Sequence, residues 1–328
     1  MTLFLSMEEA RKRAMFREME SNPNVLLIGG DPSRKTSPEY KERFSERMLD
    51  PPLSEFAYSS VAIGAAMGGL RPFVSVHTSS FIFYGWPALV LEAANVRYAS
   101  SSSVTAPVVF SLIAGTRRGG GPQHQHTPHA MLQNIPGLRI LAPATPGELD
   151  SAIHEALTGN DPTVIVEHTF LEAEGEVSDT PAPLAFVNEL VKGSGVAIVA
   201  YSYMASLGMD AAISLGKEGI SVGVFSVPVI APTPAEDIVH SVGHYRSVLF
   251  LDESIAPGSP ASFWMANFVQ RIPDTNVALL CSKPVPVPAA VHLCNTVVPS
   301  VSDIVDAVRI LHSTVDATSS RSEENVRV

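Results

Sequence analysis

Cysteine is scarce in this chain: Cys281 and Cys294 are the only two in 328 residues. Both lie in apolar sequence near the end, with no disulfide framework and no metal-type spacing, and they read as reduced core thiols. Charge is scarce too, at 17% of residues, and it leans acidic, with a formal net charge of -11. That balance excludes nucleic acid as a partner, because phosphate backbones demand clustered Lys and Arg. No apolar run approaches the ~20 residues of a bilayer-spanning helix, so no membrane is expected. The start, Met1 to Ala10, lacks a basic stretch and a long apolar core, so no secretory signal is expected there. Together with reduced thiols this points to the cytoplasm. The phosphate loop Gly-x-x-x-x-Gly-Lys, a Gly-x-Gly-x-x-Gly turn after a strand and a Gly-x-Ser-x-Gly elbow are all missing. Ordinary nucleotide-binding and serine-hydrolase chemistry therefore has no support.

What the chain has instead is core. Hydrophobic residues make up 45%, and the length suits two domains of ~150 residues each. Short β-branched runs alternate with helical stretches, the pattern of parallel α/β architecture. In the first half the expected strands are Val25–Ile28, Phe73–His77, Val108–Ile113, Arg139–Leu141 and Val164–Glu167, each nearly continuous in apolar character. The first helix, Met7–Ser21, opens on a capping box from Ser6 to Glu9. Thr145-Pro146-Gly147-Glu148 opens a second helix reaching about Leu157, and Thr233-Pro234-Ala235-Glu236 repeats the arrangement before Ile238–Ser241. Acidic, Pro-bearing sequence between Phe170 and Val187 reads as a surface linker. A second α/β series then runs through strands Val196–Tyr201, Ser221–Val227, Val248–Leu251 and Val277–Leu280. Its helices are Ala205–Lys217, Ala261–Gln270 and Ile304–Leu311. The polar tail, 313–328, is expected to be disordered. The fold class is α/β, in two domains of mainly parallel sheet flanked by helices, 1–170 and 189–312 on either side of a linker at 171–188.

Three stretches could carry chemistry. Glu55 opens a run, Ser59 to Gly69, that is small and apolar on all sides and so reads as a buried helix. A carboxylate at its mouth needs a donor or basic nitrogen; the alternative is a half-exposed capping glutamate favoured by the helix dipole. The segment Gly119 to His129 is a glycine-rich loop beyond a strand, where α/β folds place ligands. It carries Gln123, His124, His126 and His129, imidazoles able to relay protons or bind an anion. The loop offers no carboxylate to complete a metal site. Phe81, Phe83, Tyr84 and Trp86 follow the strand ending at His77; such a cluster either stacks on a flat ligand ring or forms plain core.

Pro52-Leu53-Ser54-Glu55 with Ala62 to Pro72 resembles the core motif of the beta subunit of the thiamine diphosphate-dependent decarboxylase component of 2-oxo acid dehydrogenases. Further matching stretches, in family order, are Gln123-His124, Pro136 to Ile140, Asn160-Asp161-Pro162 through Val166-Glu167-His168, Ala211-Ala212 with Lys217 to Ser221, and Val285 to Pro288. The resemblance implies a transketolase-type pyrimidine-binding domain followed by a transketolase C-terminal domain. It implies thiamine diphosphate as cofactor, with Mg²⁺ and the diphosphate held mainly by a partner alpha chain, in an assembly of two alpha and two beta chains. No metal ligand is expected in this chain. By the same resemblance, Glu55 is the catalytic glutamate that hydrogen-bonds the aminopyrimidine and favours its imino tautomer. Phe81 packs on that ring, and His124 is the catalytic loop histidine near the substrate. His126 and His129 match no family role and stand, with Gln123, as substrate or loop candidates.

The sequence also departs from that pattern. Gly-Glu-Asp before the first loop is Gly29-Gly30-Asp31, and the glycine-rich loop after it is Pro32 to Lys35. The arginine expected after Phe110 is Ser111, and Asp-Leu-Arg-Thr of the second domain reads Ser226-Val227-Pro228-Val229. Two enzymatic readings follow. One is a decarboxylase subunit that passes the acyl unit of a 2-oxo acid to lipoyl, with a lipoyl acyltransferase component as partner. The other is a split carboligase that needs no lipoyl partner. A noncatalytic scaffold is disfavoured, since it has no use for Glu55.

Overall fold

The computed structural model of the chain describes residues 2–29, 38–116 and 119–324. The substituted first loop, 30–35, and the end of the polar tail, 325–328, lie outside the described residues. The chain forms two compact units, Met1–Leu184 with Val229–Pro232, and Ala185–Pro228 with Thr233–Val328.

The first unit opens with β1 (Thr2–Ser6), followed by the helix Met7–Ser21. The capping box forms on both sides: the Ser6 hydroxyl accepts from Glu9 N at 3.3 Å, and the Glu9 carboxylate accepts from Ser6 N at 2.9 Å. Ala10, Ala14 and Met19 bury one helical stripe, and Glu18 is buried beside them. That carboxylate is matched by Arg17 at 2.9 Å and by His154 Nδ1 at 2.8 Å, while Arg17 also reaches buried Asp150 at 2.9 Å.

The strands β2 (Val25–Ile28), β3 (Met48–Leu49), β4 (Arg71–Val76), β5 (Val109–Ala114), β6 (Arg139–Leu141) and β7 (Thr163–His168) build the main sheet. Its seven-stranded order is completed at one edge by β12 (Val229–Ala231): β12-β6-β7-β5-β4-β2-β3. All neighbours are parallel except β12, which runs antiparallel to β6. The central strands β5 and β7 are almost wholly buried, as continuous apolar runs covered on both faces should be. From β2 the chain moves outward to β3, then returns through the helix Glu55–Met67 to β4 on the other side of β2. The strand order therefore reverses between β2 and β4, and the carboxyl ends at such a switch point are where α/β folds bind ligands.

The second unit holds a five-stranded sheet of β9 (Asn188–Val191), β10 (Val196–Ala200), β11 (Val222–Ser226), β13 (Ser247–Ile255) and β14 (Asn276–Ser282), in the order β14-β13-β10-β11-β9. Only β9 is antiparallel to its neighbour. Cys294 is buried and Cys281 half-buried, both as free thiols, and burial pushes the Cys281 thiol up to about 12. It is protonated and inert at neutral pH.

Four expectations change. The segment 171–188 is not a bare linker, since it contains β8 (Glu174–Ser178), paired antiparallel with β1 in a separate two-stranded ribbon. Only Val177 of β8 is buried, which is too little apolar sequence to announce a strand. The Thr145 cap forms at 3.2 Å, but the Glu148 carboxylate accepts from Ala144 N at 2.7 Å and does not close a box on Thr145. At Thr233 the repeat fails altogether, because the helix Ala235–Val242 takes Pro234 as its uncapped start. Finally, the last helix runs Val301–Glu324, well past Leu311, through a polar stretch without Gly or Pro to stop it.

Candidate active site

Glu55 is the first residue of the helix Glu55–Met67, just after Ser54, whose hydroxyl accepts from Ala57 N at 3.4 Å. The free N–H groups and dipole of that helix end favour a negative charge there. Glu55 is half-buried and has no hydrogen bond or ion pair with any described residue. One turn on, buried Tyr58 keeps its proton: burial, and then the Glu55 charge, raise its pKa. The Tyr58 ring lies against Gly29 at the end of β2. A Cβ on Gly29 would sit 3.4 Å from the ring and 3.3 Å from Ser75 O, and the φ of +77° suits only glycine.

The helix is not buried all round. Tyr58, Ser59, Ala62, Ile63 and Ala66 are covered, while Phe56 and Val61 are 54% and 63% exposed. With Leu91 and Met67, Phe56 lines an apolar groove of about 400 Å³. One chain supplies cover for one side of a helix that is apolar on every side; the remainder is surface of the kind that association covers.

Phe81 lies half-buried on the 3-10 turn Ser79–Phe83, directly after β4. Its ring meets His124 edge-on, with centroids 5.4 Å apart at 70°. Phe83 meets His126 in the same manner, at 5.5 Å and 62°. Serines lace the two segments together: Ser79 Oγ donates to His126 O at 2.6 Å, and His126 N donates to Ser80 Oγ at 3.2 Å. Gly85 seats the far end of the aromatic segment on the Glu55 helix. A Cβ there would come 2.8 Å from Ser59 Oγ and 3.4 Å from Glu55 O. Ser59 Oγ is itself buried with no hydrogen-bond partner among the described residues.

Phe81 and His124 are thus in ring contact, Glu55 opens the helix on which Gly85 is seated, and Gln123 and His126 are exposed on the His124 loop. His129 is buried in the short helix His129–Leu132. Ser111, at the departure from the expected arginine, donates to buried Glu167 at 3.2 Å, and Arg11 pairs with that carboxylate at 3.0 Å. The cation comes from the first helix, not from β5. Val229 of the altered second-domain signature enters β12. Tyr58, Ser79, Ser80 and Gly85 have no motif that announces them. Their roles arise from contacts between segments far apart in sequence.

A parallel sheet with this switch point, followed by a second α/β unit, is the architecture of a transketolase-type protein. Residues 5–171 match the transketolase pyrimidine binding domain and residues 186–304 the transketolase C-terminal domain. A split-gene transketolase, solved as an inactive beta4 tetramer, superposes with a TM-score of 0.79 at 20% identity, over 94% of this chain and 99% of that one. The pyruvate dehydrogenase E1 component subunit beta-2 of Oryza sativa subsp. japonica is 30% identical over 93% of this chain and 85% of its own length. The acetoin:2,6-dichlorophenolindophenol oxidoreductase subunit beta of Cupriavidus necator is 27% identical, covering 93% and 96%. The chain belongs to the beta subunits of the thiamine diphosphate-dependent component of 2-oxo acid dehydrogenases.

The donor set suits the pyrimidine half of that cofactor. Glu55 offers an unshared acceptor and Phe81 an aromatic face. Among the described residues, no group of three or more His, Cys, Asp or Glu side chains is placed to hold a metal ion. No described helix is long and apolar enough to cross a membrane.

Proposed function

We propose that this chain is the beta half of a cytoplasmic enzyme of two alpha and two beta chains that decarboxylates a 2-oxo acid and transfers the acyl unit to lipoyl on an acyltransferase component. The observation that carries this reading is the Glu55 carboxylate, held at a helix start without a partner among the described residues. Thiamine diphosphate supplies the carbon nucleophile and electron sink on which a 2-oxo acid loses carbon dioxide. Glu55 holds the aminopyrimidine edge through a charge-assisted hydrogen bond, which strengthens as water is excluded. Phe81 supports the ring face, and His124 donates to the substrate. The alpha chain provides the diphosphate and Mg²⁺ ligands and covers the apolar groove beside Phe56.

The test is reconstitution with an alpha chain, thiamine diphosphate and magnesium. Carbon dioxide release from a 2-oxo acid, coupled to reductive acylation of lipoamide, is the expected result. Carbon–carbon bond formation with an aldehyde and no transfer to lipoamide identifies the carboligase. No release from any 2-oxo acid overturns both readings.

A further inference from the structure

In the loop from Pro122 one side chain, Gln125, turns inward between two exposed histidines. Gln125 is fully buried and its Nε2 donates to Gly121 O at 3.2 Å, while His124 and His126 on either side of it are exposed. Across from them, Ile82 is buried between half-buried Phe81 and Phe83. The result is two edge-on ring pairs, Phe81–His124 and Phe83–His126. The register is fixed at the second pair: both backbone groups of His126 are bonded, its carbonyl to the Ser79 hydroxyl and its N–H to the Ser80 hydroxyl. A loop residue with no task does not call for such anchoring, which costs conformational entropy.

We propose that His126 is a second substrate-binding residue, whose imidazole hydrogen-bonds the 2-oxo acid alongside His124. A 2-oxo acid presents two adjacent acceptor groups, carboxylate and carbonyl, and two exposed imidazoles two residues apart supply two donors. Packing beside Phe83 desolvates the ring in part and lowers its pKa, so at neutral pH His126 contributes a hydrogen bond without a fixed charge. The inference rests on the decarboxylase reading.

The reconstituted holoenzyme carrying His126→Phe tests it, since phenylalanine keeps the ring beside Phe83 and removes both nitrogens. KM for the 2-oxo acid should rise at least about tenfold, the loss expected for one hydrogen bond to a charged ligand. The value of kcat should stay within about twofold, as for lost ground-state binding, and thiamine diphosphate affinity should not change. His126→Asn, which keeps a donor, should fall between. Unchanged KM in His126→Phe, with the wild type active, overturns the assignment and leaves the decarboxylase reading intact. A fall in kcat and cofactor affinity at constant KM also overturns it, by showing a structural role. A wild type inactive on every 2-oxo acid removes the reading itself, and the proposed contact with it.

Discussion

Glu55 and Asp252 are both carboxylates near the carboxyl end of a parallel sheet and close to a helix start, one in each unit. Asp252 is fully buried and fully occupied. It accepts from the Tyr201 hydroxyl at 2.6 Å, from Ser254 N at 2.7 Å and from Ala261 N at 3.1 Å. Burial raises its pKa against the pull of those donors, and raises that of Tyr201 as well. Glu55 is half-buried and has no hydrogen-bond donor among the described residues. A carboxylate whose acceptors are all used inside the chain ties down structure; one left open at a crevice is available to a ligand. The second unit spends its strand-order reversal, between β10 and β13, on holding the helix Pro260–Arg271 to the sheet through Ala261. The first leaves its reversal open.

The comparison breaks most decisively at Glu55. In the reconstituted enzyme, Glu55→Gln should lower kcat by about 10²-fold or more, the scale of a lost proton-sharing group. Unfolding of the isolated chain should hardly move, because no bond to a described residue is lost. Turnover at the wild-type level would remove Glu55 from the chemistry. Asp252→Ala should do the opposite. It removes the shared acceptor of the Tyr201 hydroxyl and of two backbone N–H groups, so denaturant unfolding should show a loss of about 3 kcal/mol, and any activity that remains should have an unaltered KM.

A smaller effect sharpens how the Glu55 helix is seated. Gly85→Ala drives a methyl toward Ser59 Oγ, and overpacking of this kind costs about 1–3 kcal/mol. Ser59→Gly in the same chain vacates that space, so thermal unfolding of the double variant should recover part of the loss, a coupling that independent sites lack. Smallest is the pH dependence at His126. Its pKa is lowered on folding, so the unfolded chain binds more protons there. Stability is then lost as pH falls from about 6.5 through the lowered value. His126→Asn should flatten that part of the acid limb of an unfolding titration. An identical limb in the variant would show that the ring is as well solvated as in the unfolded chain.

Much of the scaffold is legible from residue pattern. The strands Val25–Ile28 and Arg139–Leu141 and the helix Met7–Ser21 fall where periodicity and capping place them, because covered strands and amphipathic helices leave local signatures. The ribbon of β1 and β8 is not legible, since a two-stranded, half-exposed pair needs little apolar sequence. Nor is the insertion of β12 into the first unit's sheet, because three residues carry no period. At the site, Glu55, Phe81 and His124 stand out by type and by family resemblance. Tyr58, Ser79, Ser80 and Gly85 do not, because each acts on a residue distant in the chain or through backbone atoms that every residue shares.

By itself the amino-acid order determined two α/β units, a lone acid at a helix mouth and a histidine loop beyond a strand. Local free energies of capping, turn formation and apolar periodicity decide those. Only the tertiary structure decided which carboxylate stays unpaired, which histidines face outward and which glycine sets two segments in contact. Those outcomes depend on distances across the sheet, where short-range hydrogen bonds and steric contact act between residues that the sequence keeps far apart.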